Sequence, residues 1–180
     1  MKKHRRVSTA NKSGHAAMNA EAIGRSLHKV VMATLSTFYI DLVKLIGKEN
    51  ALIDANLAVL YHWVASWRIS DMLAPDLSKS VLDQMHEGLF SILDEAGVVD
   101  SEAFIHEQYA EYYDALKTQK CDWALPHIAA CFLGFCNPTA NGQVFYSMNF
   151  TKCVSISTMI AGFASAIPKA LENLIREYSK

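Results

Sequence analysis

The sequence lacks the short motifs that mark familiar enzyme sites. It contains no GxSxG, no P-loop, no GxGxxG and no HExxH. These patterns supply the nucleophile, the phosphate-binding backbone or the metal ligands of common enzymes. We therefore expect a non-catalytic protein and assign no catalytic residue. An enzyme stays open as an alternative, because a helical bundle can bring a histidine and a carboxylate together from distant helices with no local signature.

Charge is also scarce in one third of the chain. Only 19% of all residues are charged, and the one formal charge between residues 123 and 168 is Lys152. Such a stretch is a poor solvated surface, so protein must cover most of it. A membrane-spanning helix needs about 20 mainly apolar residues, and both apolar stretches, 123–136 and 153–168, are shorter. The composition predicts buried helices, and we expect no membrane as a partner.

Signals for secretion are missing as well. The basic start of the chain is followed by Ser, Thr, Asn, Lys and Gly instead of an apolar segment. The cysteines lie among apolar neighbours without a CxxC spacing: Cys121, Cys131, Cys136 and Cys153. We therefore expect buried thiols rather than disulfides, and a reducing, cytoplasmic compartment.

The net charge of −1 conceals two segments of opposite sign. Residues 1–20 carry five Lys/Arg and no acid, whereas residues 76–122 carry eleven Asp/Glu against three Lys. Residues 1–18 have no apolar periodicity, which predicts a disordered basic tail before a single domain at 19–180. Five cations make a weak polyanion site, so we expect no nucleic acid as a partner. We expect the acidic segment 76–122 to bind an unknown protein partner or the basic tail of the same chain.

Apolar residues recur every three or four positions along nearly the whole domain, and no strand-like alternation rivals this pattern. We predict an all-α bundle of six to seven mostly antiparallel helices. The first three helices are expected at Asn19 to Gly47, at Asn50 to Leu73 with Pro75 as terminator, and at Ser78 to Gly97. Ser101 is expected to cap a fourth helix, and Asp122 a fifth that ends near Asn137. The last stretch runs from Gln143 to Lys180 and is expected to be bent or interrupted at 165–168.

Small residues recur at four-residue spacing in the last apolar stretch, at Ser157, Ala161 and Ser165. Such a ridge lets another helix approach closely. We expect the two charge-poor helices to pack at the centre of the bundle or across a twofold axis. The leading hypothesis is a non-catalytic interaction or regulatory protein that forms a homodimer through these helices.

A second hypothesis is a small-ligand or metal-binding bundle, and it rests on aromatic and histidine side chains. Each of the first five predicted helices carries one histidine in its middle, and facing helices can pool such residues into a site. The candidate ligand-binding residues are His62, Trp63, Trp67, Arg68, His86, His106 and Tyr109. Nothing in their spacing selects a metal, so we assign no metal ligand and no cofactor.

Overall fold

A computed structural model describes residues 13–47, 51–118, 121–136 and 150–178. These residues form six helices and contain no strand, which confirms the all-α bundle. The helices are α1 (Ser13–Ile46), α2 (Ala51–Met72), α3 (Pro75–Glu95), α4 (Ser101–Thr118), α5 (Cys121–Cys136) and α6 (Phe150–Tyr178). Residues 1–12 of the predicted tail lie outside the described residues.

Two helices end at the glycines that the sequence indicated. Gly47 and Gly97 have φ angles of 81° and 78°, in the left-handed region that only glycine enters without strain. After α3, the Gly97 N–H donates to the Asp94 carbonyl and the Val98 N–H donates to the Leu93 carbonyl. This is the Schellman arrangement, which satisfies carbonyls at the end of a helix. Both predicted ends are confirmed.

Several helix starts differ from the prediction. α1 begins at Ser13, before the expected Asn19, and α5 begins at Cys121, just before the expected cap at Asp122. Pro75 does not merely end α2. It is the first residue of α3, where its missing N–H costs nothing and its fixed φ suits a helix. The cap of α4 is Asp100 rather than Ser101, because the Asp100 carboxylate accepts the Ala103 N–H at 3.0 Å.

α6 runs without interruption through Pro168, so the predicted interruption at 165–168 is wrong, whereas the alternative, a bend there, stays a prediction. The Ser165 hydroxyl donates to the Ala161 carbonyl one turn back, within the helical hydrogen-bond pattern. Because the helix continues to Tyr178, it is long and apolar enough to cross a membrane by length and composition. The apolar window that meets this criterion is 39% buried inside the structure, and core helices of soluble proteins meet it too.

Among the six described helices, α2 is the one that contacts all the others. From Ala55 to Ser66 it is buried on all sides, although the sequence suggested a stripe on one face. The central position expected for the charge-poor α5 and α6 therefore belongs to α2. A helix that is apolar all round is buried all round, and residues 55–67 carry no formal charge.

α1 and α3 approach closely at a glycine. A Cβ added to Gly24 would lie 2.5 Å from the Val81 carbonyl oxygen and 2.6 Å from the Gln84 Cβ, so only glycine fits there. This contact allows the backbones of α1 and α3 to approach closely at this point.

Candidate functional site

α3 and α4 enclose a pocket of about 370 Å³. Aromatic and aliphatic side chains form most of its wall, and a few polar groups interrupt them. The lining residues are His86, Phe90, Glu102, Ile105, His106, Tyr109, Ala110 and Tyr113. A concave, mainly apolar pocket with a few convergent polar groups is the usual form of a small-molecule site.

The turn between α3 and α4 holds the two walls together. The Ser101 hydroxyl donates to the Asp94 carboxylate at 3.1 Å, which joins the end of α3 to the first turn of α4. Asp100 caps α4 from the same turn. On α4, Glu102, His106, Tyr109 and Tyr113 are three or four residues apart and so lie along one face of the helix. That face borders the pocket.

Three polar side chains, His86, Tyr109 and Ser66, form a cluster. His86 and Tyr109 also line the pocket, and we call these two residues its inner end. Nε2 of His86 lies 3.0 Å from the Tyr109 hydroxyl and 3.2 Å from the Ser66 hydroxyl. Ser66 donates its single proton to the His62 carbonyl at 2.8 Å. A neutral imidazole nitrogen carries either a proton or a lone pair. Nε2 of His86 therefore either accepts from Tyr109 or donates toward these oxygens.

Two further histidines continue the polar contacts into the core. Nδ1 of His62 lies 2.7 Å from the Ala58 carbonyl, and because a carbonyl only accepts, this nitrogen carries the proton. Nε2 of His62 is then an acceptor, and Nδ1 of His28 donates to it at 3.0 Å. His28, His62, Ser66, His86 and Tyr109 thus link four helices.

Burial keeps these groups neutral. Desolvation lowers the pKa of His62 to about 3, and it also lowers the pKa of His28 and of His86. For His86 the negative charge of Asp83 opposes this effect. Desolvation raises the pKa of Tyr109 and of Tyr113. The inner end of the pocket therefore offers neutral hydrogen-bonding groups.

The structure divides the predicted ligand-binding residues into separate groups. His86, His106 and Tyr109 come together in the pocket. His62 and Trp63 are fully buried in the core. Trp67 stacks on Trp63, with 5.8 Å between the ring centroids.

Arg68 lies outside the pocket as well. Its guanidinium sits 5.4 Å from the centroid of the Trp67 ring, and its NH1 atom donates to the Asp71 carboxylate at 3.3 Å. Trp63, Trp67 and Arg68 therefore pack together with an ion pair at their edge, and none of them lines this pocket. Their role in ligand binding stays a prediction.

The sequence reasoning missed part of the site. Phe90, Ile105 and Ala110 line the pocket without any local signal of function. Glu102 had a usable signal, since it shares a helical face with His106 and Tyr109. Tyr113, a second tyrosine on that face, is identifiable from the sequence as a lining candidate. Three of the five mid-helix histidines, His28, His62 and His86, take part in the hydrogen-bonding contacts that extend into the core.

The described part of the chain contains no group of three or more His, Cys, Asp or Glu side chains that could hold a metal ion. The metal-binding form of the second hypothesis thus has no ligand set among these residues. Cys131 and Cys153 are free thiols, and burial raises the pKa of Cys131 to about 11. Cys136 and Cys153 are buried as predicted.

The three residues of the predicted ridge on α6 do not share one exposed face. Ser157 is buried against its own chain, Ala161 is half-buried and Ser165 is exposed. Successive four-residue steps rotate around a helix of 3.6 residues per turn, which accounts for this drift. The exposed face of α6 instead includes Val154, Thr158, Gly162, Ser165 and Ala166.

Comparison with protein-family models, with curated proteins and with solved structures finds no match to this chain.

Proposed function

We propose that the protein is a non-catalytic small-molecule-binding bundle whose site is the pocket between α3 and α4. One observation carries the proposal. His86, His106 and Tyr109, chosen from the sequence as candidate ligand-binding residues, line the same pocket. The apolar walls can bury the surface of a ligand, and the few polar groups can orient it by hydrogen bonds. Most small-molecule sites combine these two features.

The inner end of the pocket suits a ligand with a hydroxyl, carbonyl or amine group. When Nε2 of His86 accepts from Tyr109, the phenol oxygen is open to a donor from the ligand. When Nε2 carries the proton, it donates to the phenol oxygen and frees the phenol proton for an acceptor on the ligand. The pair therefore adapts to either polarity without a change of charge, as their 3.0 Å contact allows.

A fragment library containing neutral, anionic and cationic members tests this proposal by ligand-observed NMR. The variant Ala110→Trp fills the pocket from an exposed lining position without touching the core. Ala103→Trp is its control, since Ala103 is exposed on the same helix but does not line the pocket. We expect fragments to bind the wild type and Ala103→Trp but not Ala110→Trp. Fragments that bind all three proteins equally contradict the proposal.

A second candidate function is self-association through α6, in the cytoplasm, as the leading hypothesis from sequence has it. The exposed face of α6 supports it, because Val154 and Phe150 are large apolar residues that are 41% and 45% exposed there. Gly162 lies on this face with no atom within 4 Å of an added Cβ, so the face is open to close approach. The partner in this proposal is a second copy of the chain.

Sedimentation equilibrium at micromolar concentration tests the dimer. Gly162→Arg places a charge on the exposed face of α6, and Ala103→Arg places the same charge on α4 as a control. We expect the wild type and Ala103→Arg to be dimers and Gly162→Arg to be a monomer. A monomeric wild type removes this candidate and leaves the ligand-binding proposal intact.

A further inference from the structure

We infer that the pocket between α3 and α4 takes an organic cation, a small amine or quaternary ammonium group seated against Tyr109 and Tyr113 beside the Glu102 carboxylate. This inference rests on the proposed function and specifies the class of ligand. It draws on the geometry of the aromatic walls and on the sign of the charges around them.

Two tyrosine rings form a corner in the pocket. The centroids of Tyr109 and Tyr113 are 6.4 Å apart, and the ring planes meet at 80°. Phe90 lines the same pocket from α3. Aromatic faces attract cations within about 6 Å, and quaternary ammonium groups are held in proteins by walls of this kind. A cation in the corner can contact more than one aromatic ring at a time.

Negatively charged side chains lie at or near these walls. Glu102 lines the pocket, and the negative charge of Asp71 contributes to the raised pKa of Tyr113. Asp83 acts on His86 at the inner end with the same sign. None of the described residues that line the pocket is a lysine or an arginine. An anionic ligand would face repulsion here, whereas a cation gains from these charges.

The nearby positive groups are already accounted for. Arg68 pairs with Asp71, which offsets part of that carboxylate's charge. His106 lies 3.9 Å from Glu102 and carries a charge only when it is protonated. Binding is measured at about pH 8, well above the pKa of His86 and of His62, which burial lowers, so both of these histidines are neutral. Glu102 is then the principal carboxylate of the site.

Choline and 3,3-dimethyl-1-butanol separate charge from shape. The two molecules share a hydroxyl group and nearly the same outline, and they differ in whether the branched centre is a cationic nitrogen or a neutral carbon. Isothermal titration of the full chain at pH 8 measures both. We expect saturable binding of choline and at least about tenfold weaker binding of the alcohol. A tenfold difference in affinity is what the binding free energies of one exposed cation–π contact and a nearby carboxylate supply together.

Variants identify the groups that hold the cation. Glu102→Gln and Tyr113→Leu should each weaken choline binding several-fold, whereas Glu107→Gln should leave it unchanged. Glu107 is an exposed carboxylate on the same helix that does not line the pocket. Thermal unfolding of each variant confirms that it is folded before titration.

The possible results separate the inference that the ligand is a cation from the broader proposal that the pocket binds small molecules. Equal affinity for choline and the alcohol overturns the cation inference but supports a pocket that binds small molecules. Choline binding that is unaffected by Glu102→Gln and by Tyr113→Leu also overturns the inference, because the cation then binds elsewhere. If neither probe binds, the cation inference fails. The fragment experiment with Ala110→Trp then tests whether the pocket binds small molecules at all.

Discussion

Nδ1 of His28 on α1 lies 3.0 Å from Nε2 of His62 on α2, and this contact satisfies a ring nitrogen of His62 in the interior. His62 is fully buried and also donates to the Ala58 carbonyl. Both nitrogens of His62 are therefore used while it is neutral. A second proton would place a charge in the core and turn an accepting nitrogen toward another donor.

Stability should accordingly fall in mild acid. Burial holds the pKa of His62 at about 3 in the folded protein, against an ordinary value of 6.5. Between these values only the unfolded chain takes up the proton, so the free energy of unfolding decreases as the pH falls from 6.5 toward 3. Each pH unit in that window costs about 1.4 kcal/mol for this one group. Urea unfolding followed by circular dichroism between pH 8 and 4.5 measures the decrease.

The matched variants for this prediction are His62→Gln and His127→Gln. His127 is exposed on α5, so its replacement should leave the pH dependence as in the wild type. His62→Gln should flatten the decrease, and the lowered pKa values of His28 and His86 should account for what remains. A wild-type slope in His62→Gln would contradict the assignment to His62.

Gly88 on α3 has no side chain, and the imidazole of His28 occupies the space where one would lie. A Cβ added to Gly88 would lie 2.5 Å from Nδ1 of His28, the atom that donates to His62. Gly88→Ala should therefore displace the imidazole and lower the free energy of unfolding by about 1–3 kcal/mol, the usual cost of overpacking. Guanidinium unfolding measures this change.

Two variants make this prediction specific to His28. Gly134→Ala on α5 adds a methyl group where no atom lies within 4 Å, so it should stabilise the protein by about 0.5–1 kcal/mol through helix propensity alone. In the double variant His28→Ala with Gly88→Ala the clash is gone, and the alanine at position 88 should no longer destabilise. If Gly88→Ala costs the same with and without His28, the contact does not determine the effect.

A buried amide pair joins α2 to α4. Nε2 of Gln108 donates to Oδ1 of Asn56 at 2.5 Å, and the Tyr112 hydroxyl donates to Oε1 of Gln108 at 3.3 Å. Gln108→Leu leaves two buried polar groups without this partner, so we expect a loss of roughly 1–3 kcal/mol in the free energy of unfolding. The measurement is equilibrium denaturation.

The double variant Asn56→Leu with Gln108→Leu tests the pairing directly. Removing both amides leaves fewer buried polar groups unpaired than Gln108→Leu does, so the double variant should be more stable than the sum of the two single losses predicts. Additive losses would show that the two amides act independently.

Local signals in the sequence were sufficient for the fold class and for several helix ends. Gly47 and Gly97 were identifiable because a left-handed residue after a helix is nearly always glycine. Pro75 was ambiguous for a physical reason, since a proline is tolerated at the first position of a helix and also follows the end of one. The central position of α2 was available in principle, because the absence of charge that marked α5 and α6 also holds for residues 55–67.

The site could be predicted only in part. Periodicity on α4 places His106 and Tyr109 on one face, but it does not reveal which helix lies opposite. That choice depends on contacts between distant residues, such as the close approach of Gly24 on α1 to Val81 on α3. For the same reason His62, expected near His86 and His106 in a pocket, is joined to His28 in the core instead. Such contacts between distant residues leave no local pattern.

The most direct test of the central claim is to locate a bound probe. In an NMR sample of the wild type with saturating choline, we expect intermolecular nuclear Overhauser effects between the trimethylammonium protons and the ring protons of Tyr109 and Tyr113. The same signals should be absent in Ala110→Trp and present in Ala103→Trp. Saturable binding with Overhauser effects to other residues, or signals unchanged in Ala110→Trp, would show that the pocket between α3 and α4 is not the binding site.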